Sequence, residues 1–338
     1  MHVEPLTRRV VVAAAVLTLL VLAIAATPQL LGSRVGAALD EVGTANRGWL
    51  WIAALGFFVS LVGAAGAWRS AVRLCGSRVG LVDANARYGV GSLANTFSPA
   101  RVGDAVRIAL FSRTLDQPDR VWTTGGAVAA VGAARATALG MLIVYGAAMG
   151  ALPLWPLLLL CTLVGAAATV AWRVRDSRAR THVSHLLDAF RELGRRPRSG
   201  LRIFAWVLLA TAGRLGAAAA AAAALGVRAP LAAAIIIVPA LDLASLFPVT
   251  PGNFGVTSGA IAVTLNTHGV AVTQALSTGI AFHAVETAVS VVFGLVGLLL
   301  VGGASLTGTR RWVLVGAVAC TCLVAAGVFG ATVVAALV

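Results

Sequence analysis

Runs of about twenty apolar residues recur along the whole chain, and they restrict it to one class of fold. A helix needs about 20 such residues to cross the hydrocarbon core of a bilayer. With 59% hydrophobic residues, 11% charged residues and a mean hydropathy of +0.93, the sequence excludes a soluble globular domain. It predicts an all-α polytopic membrane protein with about seven transmembrane helices: Val10–Thr27, Trp49–Ala67, Val121–Met149, Leu152–Trp172, Ile203–Leu225, Thr273–Gly303 and Trp312–Val338.

Two further segments, residues 82–113 and 231–266, are apolar but interrupted by Pro, Gly and polar residues. Each is long enough for two half-helices and too irregular for one plain span. Broken backbone at membrane depth is tolerated only where protein or a cavity satisfies its polar groups. We therefore expect two re-entrant helical hairpins.

A short motif recurs in these two segments. Ser98-Pro99-Ala100-Arg101-Val102-Gly103 and Thr250-Pro251-Gly252-Asn253-Phe254-Gly255 share the order hydroxyl, Pro, small, polar, apolar, Gly. Pro is favoured at the first position of a helix, and Ser or Thr before it is a good cap. The neighbouring apolar runs align at the same offset of about 152 residues, so the sequence predicts two structurally repeated halves.

The arginines, which are the only basic residues besides histidine, indicate the orientation. If both hairpins return to their own side, 21 arginines lie on the side of the N-terminus and 3 on the other. This asymmetry predicts a cytoplasmic N-terminus and an outside C-terminus in the plasma membrane. Because the arginines cluster between apolar runs, they indicate orientation and anionic lipid rather than nucleic acid.

The predicted layout is one membrane domain, residues 1–338. Its first half covers residues 49–173 with hairpin 82–113, and its second half covers residues 201–338 with hairpin 231–266. The halves then have inverted topology, which is typical of transporters. Residues 174–200 form either an amphipathic helix on the inner leaflet or a solvated connector. The first apolar run is either a retained span, which we expect, or a signal peptide.

The first hairpin carries a candidate anion site. Arg101, Asp104 and Arg107 follow Pro99 at helical spacing, so Asp104 can pair with either arginine. A helix that starts near Ser98 with arginines in its first turns can bind phosphate. The alternative is a surface helix with ordinary cytoplasmic arginines.

Five ionisable residues lie inside predicted helical segments of the membrane, where a charge costs about 2.5–3.5 kcal/mol on insertion scales. Such residues face a cavity or a partner. They line either a polar path or a structural ion pair, and His283 with Glu286 forms either a proton relay or a hydrogen-bonded pair. The five are Arg135, Arg214, Asp242, His283 and Glu286.

Other polar features carry less chemistry. Asn95 and Asn253 lie near the chain breaks and either cap freed backbone groups or contact a headgroup. The four cysteines form no CxxC pair, and no His or Cys lies at ligand spacing from His283, so neither a metal nor a cofactor is expected.

Two motifs resemble a known family. Residues Asn95 to Arg107 resemble the first signature of the transmembrane region of lysylphosphatidylglycerol synthases, and Pro248 to Val256 resemble the second. The resemblance implies a membrane domain of the lipid-flippase type. Asn253 replaces a usual Gly, and Thr257 and Ser258 stand where the family often has Glu. The soluble aminoacyl-transfer domain of the synthases has no counterpart in the sequence, so no enzymatic activity is expected.

Three functions remain open from the sequence. The first is a flippase moving a phosphate-bearing lipid, with Arg101 and Arg107 on the phosphate. Its lipid is an anionic membrane lipid or a polyprenyl-phosphate-linked lipid. The second is a glycosyltransferase that uses Asp40 and Glu41 with a polyprenyl-phosphate sugar. The third is a non-transporting partner of a lipid-modifying enzyme. A homodimer is a further expected assembly.

Overall fold

The computed structural model describes residues 37–38, 40–97, 102–116, 119–152, 158, 161–162, 165–166, 169, 196–244 and 255–302. Every secondary-structure element longer than a few residues in these ranges is a helix. In chain order they are α1 Arg47–Leu74, α2 Leu81–Phe97, α3 Val102–Ser112, α4 Arg120–Ala148, α5 Pro197–Ala224, α6 Pro230–Ala244, α7 Val256–Thr267 and α8 Val272–Gly302.

Four of these helices, α1, α4, α5 and α8, are long and apolar enough to cross a membrane. They have 28 to 31 residues each. At a rise of about 1.5 Å per residue they exceed the bilayer core of about 30 Å. Their outward surfaces carry large apolar side chains such as Trp51, Leu55, Met141 and Leu298, each at least half exposed. The protein is therefore a multi-pass helical membrane protein.

The other four helices are too short to span. α2 and α6 have 17 and 15 residues, and α3 and α7 have 11 and 12. α3 folds back along α2, because Arg87 near the start of α2 donates to the carbonyl of Leu110 near the end of α3 at 2.8 Å. Near the other end of the pair, Asn95 contacts Gly103. The two helices form an antiparallel hairpin in the segment where the sequence predicts one.

The helices of the two halves recur in the same order. α1 to α4 and α5 to α8 each comprise a long helix, two short ones and a second long one, and their starts are about 150 residues apart. Packing recurs as well: α2 packs on α8 as α6 packs on α4, and α1 packs on α8 as α5 packs on α4. The central contact, α1 on α5, joins the two corresponding first helices.

α1 and α5 pack antiparallel along a seam of small residues. Gly56 faces Gly213 and Ala217, whereas Gly63, two turns later on α1, faces Ala210. A Cβ built on Gly213 would lie 2.7 Å from the carbonyl oxygen of Gly56, so backbone meets backbone here. Glycine at these positions permits the close approach that stabilises helix pairs in a bilayer.

We expect Gly213→Ala to destabilise the protein, because its methyl group would collide with the α1 backbone. Overpacking costs about 1–3 kcal/mol. Gly216, three residues along α5, has no atom within 4 Å of a built Cβ. Gly216→Ala is the matched control, and in a helix interior it should be neutral or slightly stabilising. Thermal unfolding of both variants in detergent measures the difference, and equal melting temperatures would contradict the seam.

The predicted bounds agree closely where the structure describes them. The long helices coincide with the predicted spans Trp49–Ala67, Val121–Met149, Ile203–Leu225 and Thr273–Gly303, each extended or shifted by a few residues. Spans Val10–Thr27 and Trp312–Val338, most of Leu152–Trp172 and most of the linker 174–200 lie outside the described residues. The count of seven spans therefore stays a prediction.

Candidate functional site

The α2–α3 hairpin is held together by a polar cluster near its closed end. The side-chain oxygen of Asn95 accepts from the backbone N–H of Gly103 at 2.7 Å. The amide nitrogen of Asn95 donates to Oδ1 of Asp104 at 3.3 Å, and Nη1 of Arg107 donates to the same oxygen at 2.6 Å. Gly103 contacts Gly91 so closely that no Cβ fits at either position. Asn95 thus performs the capping role that its position predicts.

Arg107 is almost fully enclosed by this hairpin. Its Nη2 donates to Ser92 Oγ at 2.7 Å and its Nε to the Tyr88 carbonyl at 3.4 Å. The guanidinium carbon also lies 3.9 Å from the centroid of the Tyr88 ring, a cation–π distance. Only 8% of the residue is exposed. The donors of Arg107 are therefore directed at the hairpin itself, which makes it a positioning residue for α3.

A second cluster joins four helices and contains the other predicted intramembrane charges. Oδ1 of Asp242 on α6 accepts from Arg135 Nη2 on α4 at 2.5 Å and from Arg214 Nη1 on α5 at 3.2 Å. Arg214 Nη2 extends to Glu286 Oε1 on α8 at 3.4 Å. His283 Nδ1 lies 3.9 Å from the other oxygen of Glu286. We call these five residues the Arg135–Glu286 network.

The network lies deep in the membrane-spanning part of the protein. Arg135 is near the middle of α4 and Glu286 is at the middle of α8. Asp242 lies near the end of α6, about one turn beyond Pro239, which interrupts the helix ladder by removing an N–H donor. Because of these positions, the charged side chains of the network meet at a similar depth in the membrane. Their pairing offsets the free-energy cost of removing each charge from water.

Exposure differs sharply within the network. The side chains of His283 and Asp242 are 7% and 13% exposed, whereas that of Arg135 is 55% exposed. The side chain of Arg135 is thus bonded to Asp242 and about half exposed as a whole.

Most charged residues of the two clusters have no charged counterpart at the offset of 152 residues, although Arg135 falls on position 287, next to Glu286. Shifting by 152 residues places Gly259 opposite Arg107, Val62 opposite Arg214 and Val90 opposite Asp242. Each half therefore keeps the shared packing but contributes different charges. Such an arrangement indicates a site formed between the halves instead of two identical sites.

Three predicted site residues, Ser98, Arg101 and Asn253, lie outside the described residues, so their roles stay predictions. The structure brings together the other eight, in the hairpin cluster and the Arg135–Glu286 network. Sequence reasoning missed Tyr88 and Ser92, the partners of Arg107. Their spacing of four residues on α2, one helical turn, was the available signal.

The acidic pair considered for an enzyme lies near the outer end of the fold in the predicted orientation. Ser277 Oγ on α8 donates to Glu41 Oε2 at 2.6 Å, and the backbone N–H of Asn46 donates to the carbonyl of Ala224 at 2.9 Å. These contacts attach the segment before α1 to α5 and α8, so Glu41 has a structural role. Among the described residues, no group of three or more potential metal ligands occurs.

Comparison with known proteins yields one family match. The family model described as "Lysylphosphatidylglycerol synthase TM region" matches residues 10–294, which is most of the chain and includes both clusters. No curated protein matches the sequence.

Proposed function

The chain belongs to the lysylphosphatidylglycerol synthase TM region family, and from that premise we propose that it is a flippase, moving a phosphate-bearing lipid between leaflets. The substrate is an anionic phospholipid or a polyprenyl-phosphate-linked lipid. The protein catalyses no covalent reaction in this proposal. It acts in the plasma membrane with a cytoplasmic N-terminus and an outside C-terminus, as a homodimer or beside a lipid-modifying enzyme.

One observation carries the proposal: an arginine with a half-exposed side chain in the middle of a membrane-spanning helix. Arg135 is bonded to Asp242, and its side chain as a whole is 55% exposed. An arginine offers up to five N–H donors in a planar fork that matches phosphate oxygens. At that depth an exposed charge is costly unless a headgroup or water meets it. A site that exposes it is suited to receiving a lipid phosphate.

The architecture supports transfer across the membrane. Because the corresponding helices α1 and α5 run antiparallel, we propose that the halves are inverted-topology repeats. The hairpins α2–α3 and α6–α7 would then enter from opposite sides and approach each other near the midplane.

The structure suggests different tasks for the predicted phosphate ligands. Arg107 is occupied by Asp104, Ser92 and Tyr88, so in this proposal it holds the hairpin in place. Arg135 is the phosphate ligand, and Arg214 supports it through the shared Asp242. Arg101, which lies outside the described residues, keeps the phosphate-binding role expected from the sequence.

Reconstituted vesicles test the proposal. We expect the purified protein to accelerate the movement of fluorescent phosphatidylglycerol between leaflets, measured by chemical quenching of the outer label. Protein-free vesicles are the control, and a neutral labelled diacylglycerol reports nonspecific leakiness. No acceleration for phosphatidylglycerol or for a labelled polyprenyl phosphate would contradict the flippase function.

A further inference from the structure

The Arg135–Glu286 network is balanced in charge. Arg135 and Arg214 contribute two positive charges, and Asp242 and Glu286 two negative ones, while His283 is uncharged unless it is protonated. The carboxylates are 13% and 29% exposed. An uncompensated charge in a poorly solvated interior costs several kcal/mol. A carboxylate that loses its cationic partner there is therefore neutralised by taking up a proton.

Binding of a phosphate would disturb this charge balance at a single oxygen of Asp242. Oδ1 of Asp242 accepts from both arginines. A phosphate oxygen that binds Arg135 and Arg214 competes for the same donors and places a second anion beside that carboxylate. Two adjacent anions at this depth repel each other, and a proton on one of them removes the repulsion.

We propose that each anionic headgroup bound at Arg135 is accompanied by one proton taken up by Asp242, so that the protein carries proton and anion together. This inference rests on the proposed function and names the coupling ion of the same site. The carboxylate of Asp242 gains the proton from water and becomes a neutral acid, while the phosphate replaces it as the partner of the two guanidiniums.

The surrounding groups favour Asp242 as the proton acceptor. Among the described residues, the charged or titratable groups linked to it are Arg135 from α4 and Arg214 from α5, and, through Arg214, Glu286 and His283 from α8. The neighbouring helix α7 contains no ionisable residue. Glu286 accepts from Arg214 but not from Arg135, and it also faces His283, so it is less affected when phosphate binds Arg135.

Linkage fixes the sign of the effect. If anion binding takes up a proton, a lower pH must strengthen anion binding by the same coupling free energy. For one proton, affinity rises by at most about tenfold for each unit that the pH falls. If the phosphate replaced the Asp242 carboxylate as the partner of the arginines without proton uptake, its affinity would not depend on the protonation of Asp242.

Calorimetry of the full-length protein in detergent tests the proposal. Dioctanoyl phosphatidylglycerol, a soluble short-chain lipid, is titrated in two buffers of different ionisation enthalpy at one pH. The difference in apparent binding enthalpy gives the protons taken up per lipid. We expect up to one proton for the wild-type protein and an affinity that rises as the pH is lowered. Asp242→Asn should take up none and bind with little pH dependence.

Asp83→Asn is the control, because it removes an exposed carboxylate at the start of α2, outside the network, and should leave proton uptake in place. Binding by the wild-type protein without proton uptake would overturn the coupling but leave the flippase function standing. Uptake that persists in Asp242→Asn, or is lost in Asp83→Asn, would also overturn the assignment. Absence of lipid binding would contradict both proposals. The wild-type measurement alone decides the coupling if a variant fails to fold.

Discussion

Replacing Arg135 by alanine is expected to reduce the movement of anionic lipid between leaflets at least about tenfold, equivalent to about 1.4 kcal/mol. The substitution removes the guanidinium that would receive the phosphate. The fold should be affected much less, because the side chain is 55% exposed and Asp242 keeps Arg214 as a partner. Lipid movement and thermal stability should therefore separate in this variant.

Two further variants make the test specific. Arg120→Ala, at the start of the same helix and exposed, removes an arginine outside the network and should transport normally. Arg135→Lys retains the charge but loses the planar fork, so we expect partial transport. The experiment is the vesicle quenching assay with equal amounts of inserted protein. If Arg135→Ala moved lipid as fast as Arg120→Ala does, Arg135 would have no part in headgroup binding.

The largest expected loss of stability follows from Arg214→Gln. Arg214 joins Asp242 to Glu286 and is itself only 20% exposed. Removing it leaves Glu286 without its arginine partner and Asp242 with Arg135 alone. Breaking such a pair by removing one partner costs about 3–5 kcal/mol. A decrease in melting temperature of the order of 10 °C is expected in detergent.

The controls for this variant use the same helix and the same network. Arg202→Gln, exposed near the start of α5, should melt as the wild-type protein does. The double variant Arg214→Gln, Glu286→Gln restores equal numbers of positive and negative charges, so it should recover part of the lost stability. A double variant that is less stable than either single variant would show that charge balance is not what stabilises the network.

The apolar runs, and the Pro and Gly residues that interrupt some of them, were sufficient to locate the helices that the structure describes. The membrane-depth runs correspond to α1, α4, α5 and α8, and the Pro- and Gly-interrupted segments correspond to pairs of short helices. The family membership expected from the motif at Asn95–Arg107 is confirmed by the match over residues 10–294. These features depend on local composition, which a single sequence records.

Partner choice in the network could not be derived in the same way. The sequence offered Asp242 and Glu286 as partners for both arginines, and only the packing of α4, α5, α6 and α8 decides between them. Arg135 contacts Asp242, and Arg214 contacts both carboxylates. The burial of Arg107 could not be predicted from the sequence either, because it depends on how closely Gly91 and Gly103 allow α2 and α3 to approach each other.

The glycine seam between α1 and α5 has a mechanical consequence. Where the backbones of Gly56 and Gly213 touch, a slide of even one residue along the helix axis would push neighbouring Cβ atoms into carbonyl oxygens. α1 and α5 therefore resist sliding along each other. If the protein transports lipid as proposed, a large rearrangement would then involve helices other than this pair.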